Sequence, residues 1–102
     1  MKKILVVDDD EDILTVVEII LTSVGFDVKT HSTGFDVPHI VQHYLPDLVL
    51  LDVRLPGKSG LEICQELKKI HNIPVILFSA EASYQRRAAG AAEDVMEKPL
   101  DV

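Results

Sequence analysis

Two apolar runs in this chain each end in acid: Ile4-Leu5-Val6-Val7 leads into Asp8-Asp9-Asp10, and Leu48-Val49-Leu50-Leu51 leads into Asp52. Short continuous apolar runs, as opposed to alternating ones, read as strands buried on both faces of a parallel sheet. Between them, Ile13, Val17, Ile20, Leu21 and Val24 recur at helical spacing. Asp10-Glu11-Asp12 stands in front of that pattern, where a helix N-terminus favours negative charge, and Gly25 stands behind it as a C-terminal stop. Asp27 to His31 reads as a second strand and Ser32-Thr33-Gly34 as a turn. A helix around Pro38 to Tyr44 follows, with Pro38 tolerated in its first turn. Pro46-Asp47 leads into the third strand. After Asp52 the stretch Val53 to Gly60 is a loop, and the next helix runs to about Ile70 with Ile63, Cys64 and Leu67 facing inward. Pro74 opens a fourth strand, Val75 to Phe78. A short helix over Ser83 to Ala89 and a last strand, Asp94 to Met96, complete the reading, with Lys98-Pro99 just beyond.

Strict alternation of strand and helix predicts an α/β domain: a parallel sheet with right-handed crossovers and helices on both faces. In such sheets the carboxyl ends of the strands share one rim, where ligand crevices open. Asp8, Asp9, Asp52, Ser79 and Lys98 all fall at strand ends, so the pattern predicts an acidic pocket with one hydroxyl and one ammonium beside it.

Composition narrows the function. The 102 residues suit a single domain, and 47% apolar with 26% charged residues is the balance of a folded globular chain. Seventeen acids against ten bases give a net charge of -7. That balance disfavours nucleic acid and anionic membrane surfaces, both of which are held by basic patches. No apolar run approaches the roughly 20 residues of a membrane span. The Met1-Lys2-Lys3 head lacks a signal-peptide pattern because Asp8 to Asp10 interrupt it, so the expected location is the cytoplasm. The single cysteine, Cys64, fits a reducing compartment and, by its helical neighbours, a core position.

The acidic pair in Val6-Val7-Asp8-Asp9, the run Leu51-Asp52-Val53-Arg54-Leu55-Pro56-Gly57 with Gly60, the pair Ser79-Ala80 and the pair Lys98-Pro99 occur in order at consecutive strand ends. On these four motifs the chain resembles, over nearly its whole length, the receiver domain of bacterial two-component response regulators. The resemblance implies a flavodoxin-like, doubly wound, five-stranded parallel sheet spanning residues 1–102. It implies that Asp52 is the phosphoacceptor, served by a sensor histidine kinase or a histidine phosphotransfer protein, with the result read as changed affinity for a downstream protein. It also implies that Asp9 and Asp52 bind Mg²⁺ directly, that Asp8 contributes directly or through water, and that the backbone carbonyl of Arg54 completes the protein's share. Ser79 and Lys98 would contact the phosphoryl group, and a cis peptide before Pro99 would direct the lysine. The chemistry is coherent. A hard cation prefers an oxygen cage, and carboxylates about 4 Å apart repel by roughly 4 kcal/mol at an effective dielectric near 20 until a divalent ion settles them. Such a protein is a switch with slow self-catalysed chemistry, and not an enzyme acting on an external substrate.

The chain departs from the family toward its C-terminus. Val95 stands where receivers carry Tyr or Phe as a rotamer switch, the helix after Ser79 is about three residues short, Ala91 replaces a common glycine, and the final helix expected after Pro99 is absent. Receivers use this side for partners or for dimerisation, so a homodimer through the C-terminal face belongs among the expectations. A pseudo-receiver, binding partners without phosphorylation, is the alternative that Val95 favours and the intact Asp9, Asp52, Ser79 and Lys98 oppose. A metal-dependent phosphohydrolase would need a general acid two residues past its nucleophile, and Arg54 occupies that place. Asp10 is expected to cap its helix and not to coordinate. His39 and His43, four apart, have a spacing that can bind a transition metal, but nothing nearby in the sequence completes a site. Lys68-Lys69 and Arg86-Arg87 read as solvated helix faces. Arg54 and Glu81 are expected to flank the phosphoryl site and, if paired across its mouth, to hinder an attacking water.

Overall fold

The computed structural model describes residues 2–55, 57–79 and 94–97. Its elements run β1 (Lys3–Val7), α1 (Glu11–Ser23), β2 (Asp27–His31), α2 (Val37–Tyr44), β3 (Leu48–Asp52), α3 (Gly60–Ile70), β4 (Val75–Ser79) and β5 (Asp94–Glu97). All strand pairs are parallel, in the order β2-β1-β3-β4-β5. This is the flavodoxin-like doubly wound order, in which the chain winds one way from β1 to β2 and the other way from β3 onward.

Side chains of β1 alternate between two cores. Ile4 and Val6 join Leu14 and Val17 of α1 with Leu50 and Phe78. Leu5 and Val7 join Val37 and Val41 of α2, and Ile63, Cys64 and Leu67 of α3. Both faces of the central strands are therefore covered, which is why Ile4–Val7 of β1 and Leu48–Leu51 of β3 are continuously apolar. Leu5, Val6, Val7, Val49 and Leu51 have no exposed surface. At about 1.5–3 kcal/mol for each such side chain buried, these strands supply much of the driving force for folding. Cys64 occupies the core position that its helical neighbours predict.

The helix ends show why boundaries move by a residue or two from the apolar pattern. Asp10 caps α1, its carboxylate accepting from the backbone N–H of Asp12 at 2.9 Å and of Ile13 at 3.4 Å, so the helix starts at Glu11, ahead of the first apolar residue. At its other end Gly25, at φ +99°, donates to the Thr22 carbonyl at 3.0 Å while Phe26 donates to the Leu21 carbonyl at 3.1 Å. That pair of bonds is a Schellman motif, and it needs the left-handed backbone that glycine adopts freely. α2 is bounded differently. Asp36 at φ +63° enters it and Leu45 at φ +54° leaves it, both without a glycine. β4 and β5 each extend one residue beyond the apolar pattern, to Ser79 and Glu97, because the ladder continues through the Ser79–Glu97 pair. The predicted Ser83 to Ala89 helix and everything after Glu97 lie outside the described residues.

Candidate functional site

β1 and β3 are adjacent, with Val7 opposite Leu51, so Asp8 and Asp9 leave β1 at the level where Asp52 closes β3. One carboxylate oxygen from each of the three lies within 4.8 Å of the others. Asp8 is wholly buried, Asp52 is 3% exposed, and Asp9 opens to solvent. Two short loops hold the buried pair. Asp8 donates its N–H to the His31 carbonyl at 3.1 Å and accepts from the Asp10 N–H through Oδ1 at 2.9 Å. Asp52 accepts from the Arg54 N–H through Oδ1 at 3.2 Å. Both carboxylates thus bond to the backbone two residues on, the local pattern that lets aspartate turn a chain sharply.

Gly60 fixes the other side of Asp52. Its N–H donates to the Val53 carbonyl at 2.7 Å, and a Cβ there would sit on the Asp52 carbonyl oxygen and 2.8 Å from Val53 Cα. Only glycine lets the start of α3 press against the strand end. Ser59 caps that helix through the Glu62 N–H at 3.2 Å.

The donor set suits a hard divalent ion. Three carboxylates offer oxygen ligands only, as Mg²⁺ or Ca²⁺ prefers, and among the described residues no thiolate or imidazole joins them. Asp10 is absent from the cluster because its carboxylate is spent on the α1 cap. His39 and His43 lie with ring centroids 4.3 Å apart on α2, and among the described residues no third ligand joins them.

Ser79 ends β4 one residue past Phe78, which faces Asp52 across the ladder, and Glu97 ends β5 opposite Ser79. The backbone thus brings the position of Ser79 to the same rim as the acids. Lys98, Pro99, Ala80, Glu81 and Ala91 lie outside the described residues, so the expected ammonium, the cis peptide and the Arg54–Glu81 pair are not described by the structure. Val95 pairs with Leu77 inside the ladder. The exposed Arg54 sits where the sequence put it, two residues beyond Asp52.

Beside the acids opens a cavity of about 450 Å³ lined by Asp9, Val53, Arg54, Leu55, Gly57, Lys58 and Ser59. Lys58 reaches Glu66 of α3 at 2.6 Å. The Phe35 ring from the loop before α2 packs on Gly57, whose φ is +85°. Neither Lys58 nor Phe35 stood out in the sequence, because loop residues carry no periodicity that would assign them a face. Among the described residues no helix is long and apolar enough to cross a membrane.

A family model described as "Response regulator receiver domain" matches residues 4–102. Solved structures match over 98–99% of the chain. The response regulator TrrA of Thermotoga maritima, in complex with Mg(2+)-BeF, is 32% identical, with a TM-score of 0.92 over 99% of this chain and 90% of its own. The BeF3-activated N-terminal receiver domain of Klebsiella pneumoniae RstA is 28% identical, with a TM-score of 0.92 over 98% of this chain and 88% of its own. A CheY-like receiver domain protein from Methanospirillum hungatei is 27% identical, with a TM-score of 0.91 over 99% of this chain and 84% of its own.

Proposed function

The chain belongs to the response regulator receiver domain family, and from that premise we propose that it is a phosphorylation-dependent switch in which Asp52 accepts a phosphoryl group from a sensor histidine kinase or a histidine phosphotransfer protein. The observation that carries the proposal is the convergence of Asp8, Asp9 and Asp52, two of them buried, at the ends of adjacent strands. Isolated from one another these would be ordinary acids. Together they form an anionic pocket that gains a purpose only with a cation.

Asp8, Asp9, Asp52 and the Arg54 carbonyl would hold Mg²⁺, which when bound supplies positive charge against phosphoryl oxygens. The Thermotoga relative was solved in complex with Mg(2+)-BeF, and the proposal extends that ion to the cluster in this chain. A carboxylate oxygen of Asp52 forms the new bond to phosphorus, while the donor's bond to phosphorus breaks and its electron pair departs with the imidazole of the phosphohistidine. Lys98 adds a point charge beside the transferred group, and the Ser79 hydroxyl donates to one of its oxygens. That last contact exists only in the phosphorylated state, and such a difference is what shifts a two-state equilibrium. The output is a changed affinity for a downstream protein, which includes pairing of two copies through the C-terminal face. The proposed location is the cytoplasm, where histidine kinases present their phosphoryl groups.

The test is incubation with Mg²⁺ and acetyl phosphate followed by intact-mass measurement of the wild type and of Asp52→Ala. The expected result is a gain of one phosphoryl mass that needs both Mg²⁺ and Asp52. A gain that survives in Asp52→Ala overturns the assignment of the acceptor. No gain from either acetyl phosphate or a histidine kinase, with circular dichroism unchanged, overturns the switch in favour of a binding module that works without phosphorylation.

A further inference from the structure

We propose that Lys58 is a specificity-determining residue for the phosphodonor: Lys58 lines the pocket, and its ammonium, now resting on Glu66, is the charge that receives an incoming anionic donor. This rests on the reading of Asp52 as the phosphoacceptor.

The problem that Lys58 answers is electrostatic. A phosphodonor is an anion, the chain carries a net charge of -7, and the pocket it must enter is built on three carboxylates. Of the cavity-lining residues, Arg54 and Lys58 are the cations and Asp9 the acid. Arg54 lies next to the reacting end, with its backbone N–H already bonded to Asp52. Lys58 stands on the far side of the same loop, beyond Gly57. Its side chain is 39% exposed, and that of its partner Glu66, on α3 and outside the cavity lining, is 38% exposed. An ion pair so open to water is weak, and lysine is a point charge on a flexible stem with no fixed fork to satisfy. The ammonium can therefore leave Glu66 for a donor at little cost. Glu66 acts as a competitor that holds the cation near the pocket and partly neutralises it.

The rival explanation is mechanical: the ion pair ties the loop that carries Arg54 and Gly57 to α3. The two accounts differ in sign. If the pair is a tie, Lys58→Met and Glu66→Gln break the same link and both slow the reaction and weaken Mg²⁺ binding. If Lys58 receives the donor, the two variants move in opposite directions.

The experiment measures the rate of Mg²⁺-dependent phosphorylation of the full chain at pH 7 for wild type, Lys58→Met, Lys58→Arg and Glu66→Gln. The donors are acetyl phosphate, a dianion, and phosphoramidate, which carries less negative charge. At low salt Lys58→Met should lower the acetyl phosphate rate by about three- to tenfold, with a smaller loss for phosphoramidate, and Glu66→Gln should raise it by about twofold or more, the scale expected when one charge steers association. Lys58→Arg should retain the wild-type rate. Near 1 M salt, where the screening length is about 3 Å, the differences should vanish. Mg²⁺ affinity, read by titration calorimetry, should be unchanged or tighter in Lys58→Met. Equal rates in all four proteins, or losses in both Lys58→Met and Glu66→Gln with weakened Mg²⁺ binding, overturn the inference while leaving Asp52 as acceptor. An unreactive wild type overturns the acceptor reading and this inference with it.

Discussion

Replacing Asp52 by asparagine should make the metal-free protein more stable. The substitution removes one charge from the cluster and keeps its shape, including an Oδ1 that can accept from the Arg54 N–H. With 4.8 Å as the outer separation of the carboxylate oxygens, Coulomb's law gives roughly 3.5 kcal/mol per pair at an effective dielectric near 20. Asp9 is exposed and well screened, so the buried Asp8–Asp52 pair carries most of the repulsion. The cations Arg54 and Lys58 along the cavity offset part of it. A net gain of about 1–3 kcal/mol remains, and at about 4–8 °C per kcal/mol for a domain of this size it corresponds to a rise in Tm of roughly 4–24 °C. Circular dichroism melts of Asp52→Asn and wild type in EDTA at low salt provide the measurement. In a second arm with Mg²⁺, the wild type should gain stability as RT ln(1 + [Mg²⁺]/Kd) while Asp52→Asn gains less, so the gap narrows or inverts. If Asp52→Asn melts at or below the wild type in EDTA, the three carboxylates are not in mutual conflict. If Mg²⁺ raises both proteins equally, Asp52 does not hold the ion.

Leu45 ends α2 at φ +54° and is 64% exposed. Leu45→Gly should therefore stabilise the fold by about 0.5–1 kcal/mol, by relieving a backbone conformation that only glycine adopts without penalty. It should appear as a higher urea midpoint at unchanged slope, and a lower midpoint would mean that the leucine side chain packs usefully. Gly60→Ala would drive a Cβ onto the Asp52 carbonyl, so a loss of about 2 kcal/mol or more is expected. Mg²⁺ binding should weaken with it in calorimetry, and an alanine variant with full Mg²⁺ affinity would show that the strand end tolerates displacement. Burial pushes the Cys64 thiol above its usual pKa, with Lys68 opposing in part. The native thiol should thus stay protonated and unreactive toward a disulfide reagent at mildly alkaline pH. In the unfolded chain the thiol ionises at its ordinary pKa of 9.0 while the folded one keeps its proton, so stability from this group should fall as pH rises past that point. Rapid labelling of native protein at pH 8 would contradict the buried position.

Legibility followed burial. The strands were readable because both faces of β1 and β3 are covered, which forces four consecutive apolar residues in each, Ile4–Val7 and Leu48–Leu51, and leaves the acids as the polar break that follows. Asp8, Asp9 and Asp52 could therefore be assigned to one rim from the sequence alone, and Asp10 could be separated from them by its capping position. α1 was readable from spacing plus the Asp10 cap, and α3 from spacing alone, while the Ser59 cap that starts α3 was hidden inside the loop. What stayed dark lies in loops. Lys58 becomes part of the pocket only because the loop after β3 folds back toward α3, where Glu66 meets it. Phe35 reaches Gly57 only because α2 is entered through a left-handed Asp36, and aspartate at a turn does not announce that conformation.

The site's geometry depends most on the register between two strands. Val6 and Leu50 share the α1-side core while Val7 and Leu51 share the opposite one, and Val7 lies directly across from Leu51. By the period of two, Asp8 and Asp52 inherit the same face and the same level, so their carboxylates meet. A slip of one residue between β1 and β3 would turn Asp52 toward α2 and α3 and would move the β3 side chains from one packed core into the other, whose partners they do not fit, so the core penalises the slip heavily. The pocket thus draws its precision from the apolar runs on either side of it. The repulsion among its acids, roughly 3.5 kcal/mol per pair before screening and the nearby cations reduce it, is small against the burial that sets the register, which is how a fold can hold three carboxylates together while no ion is bound.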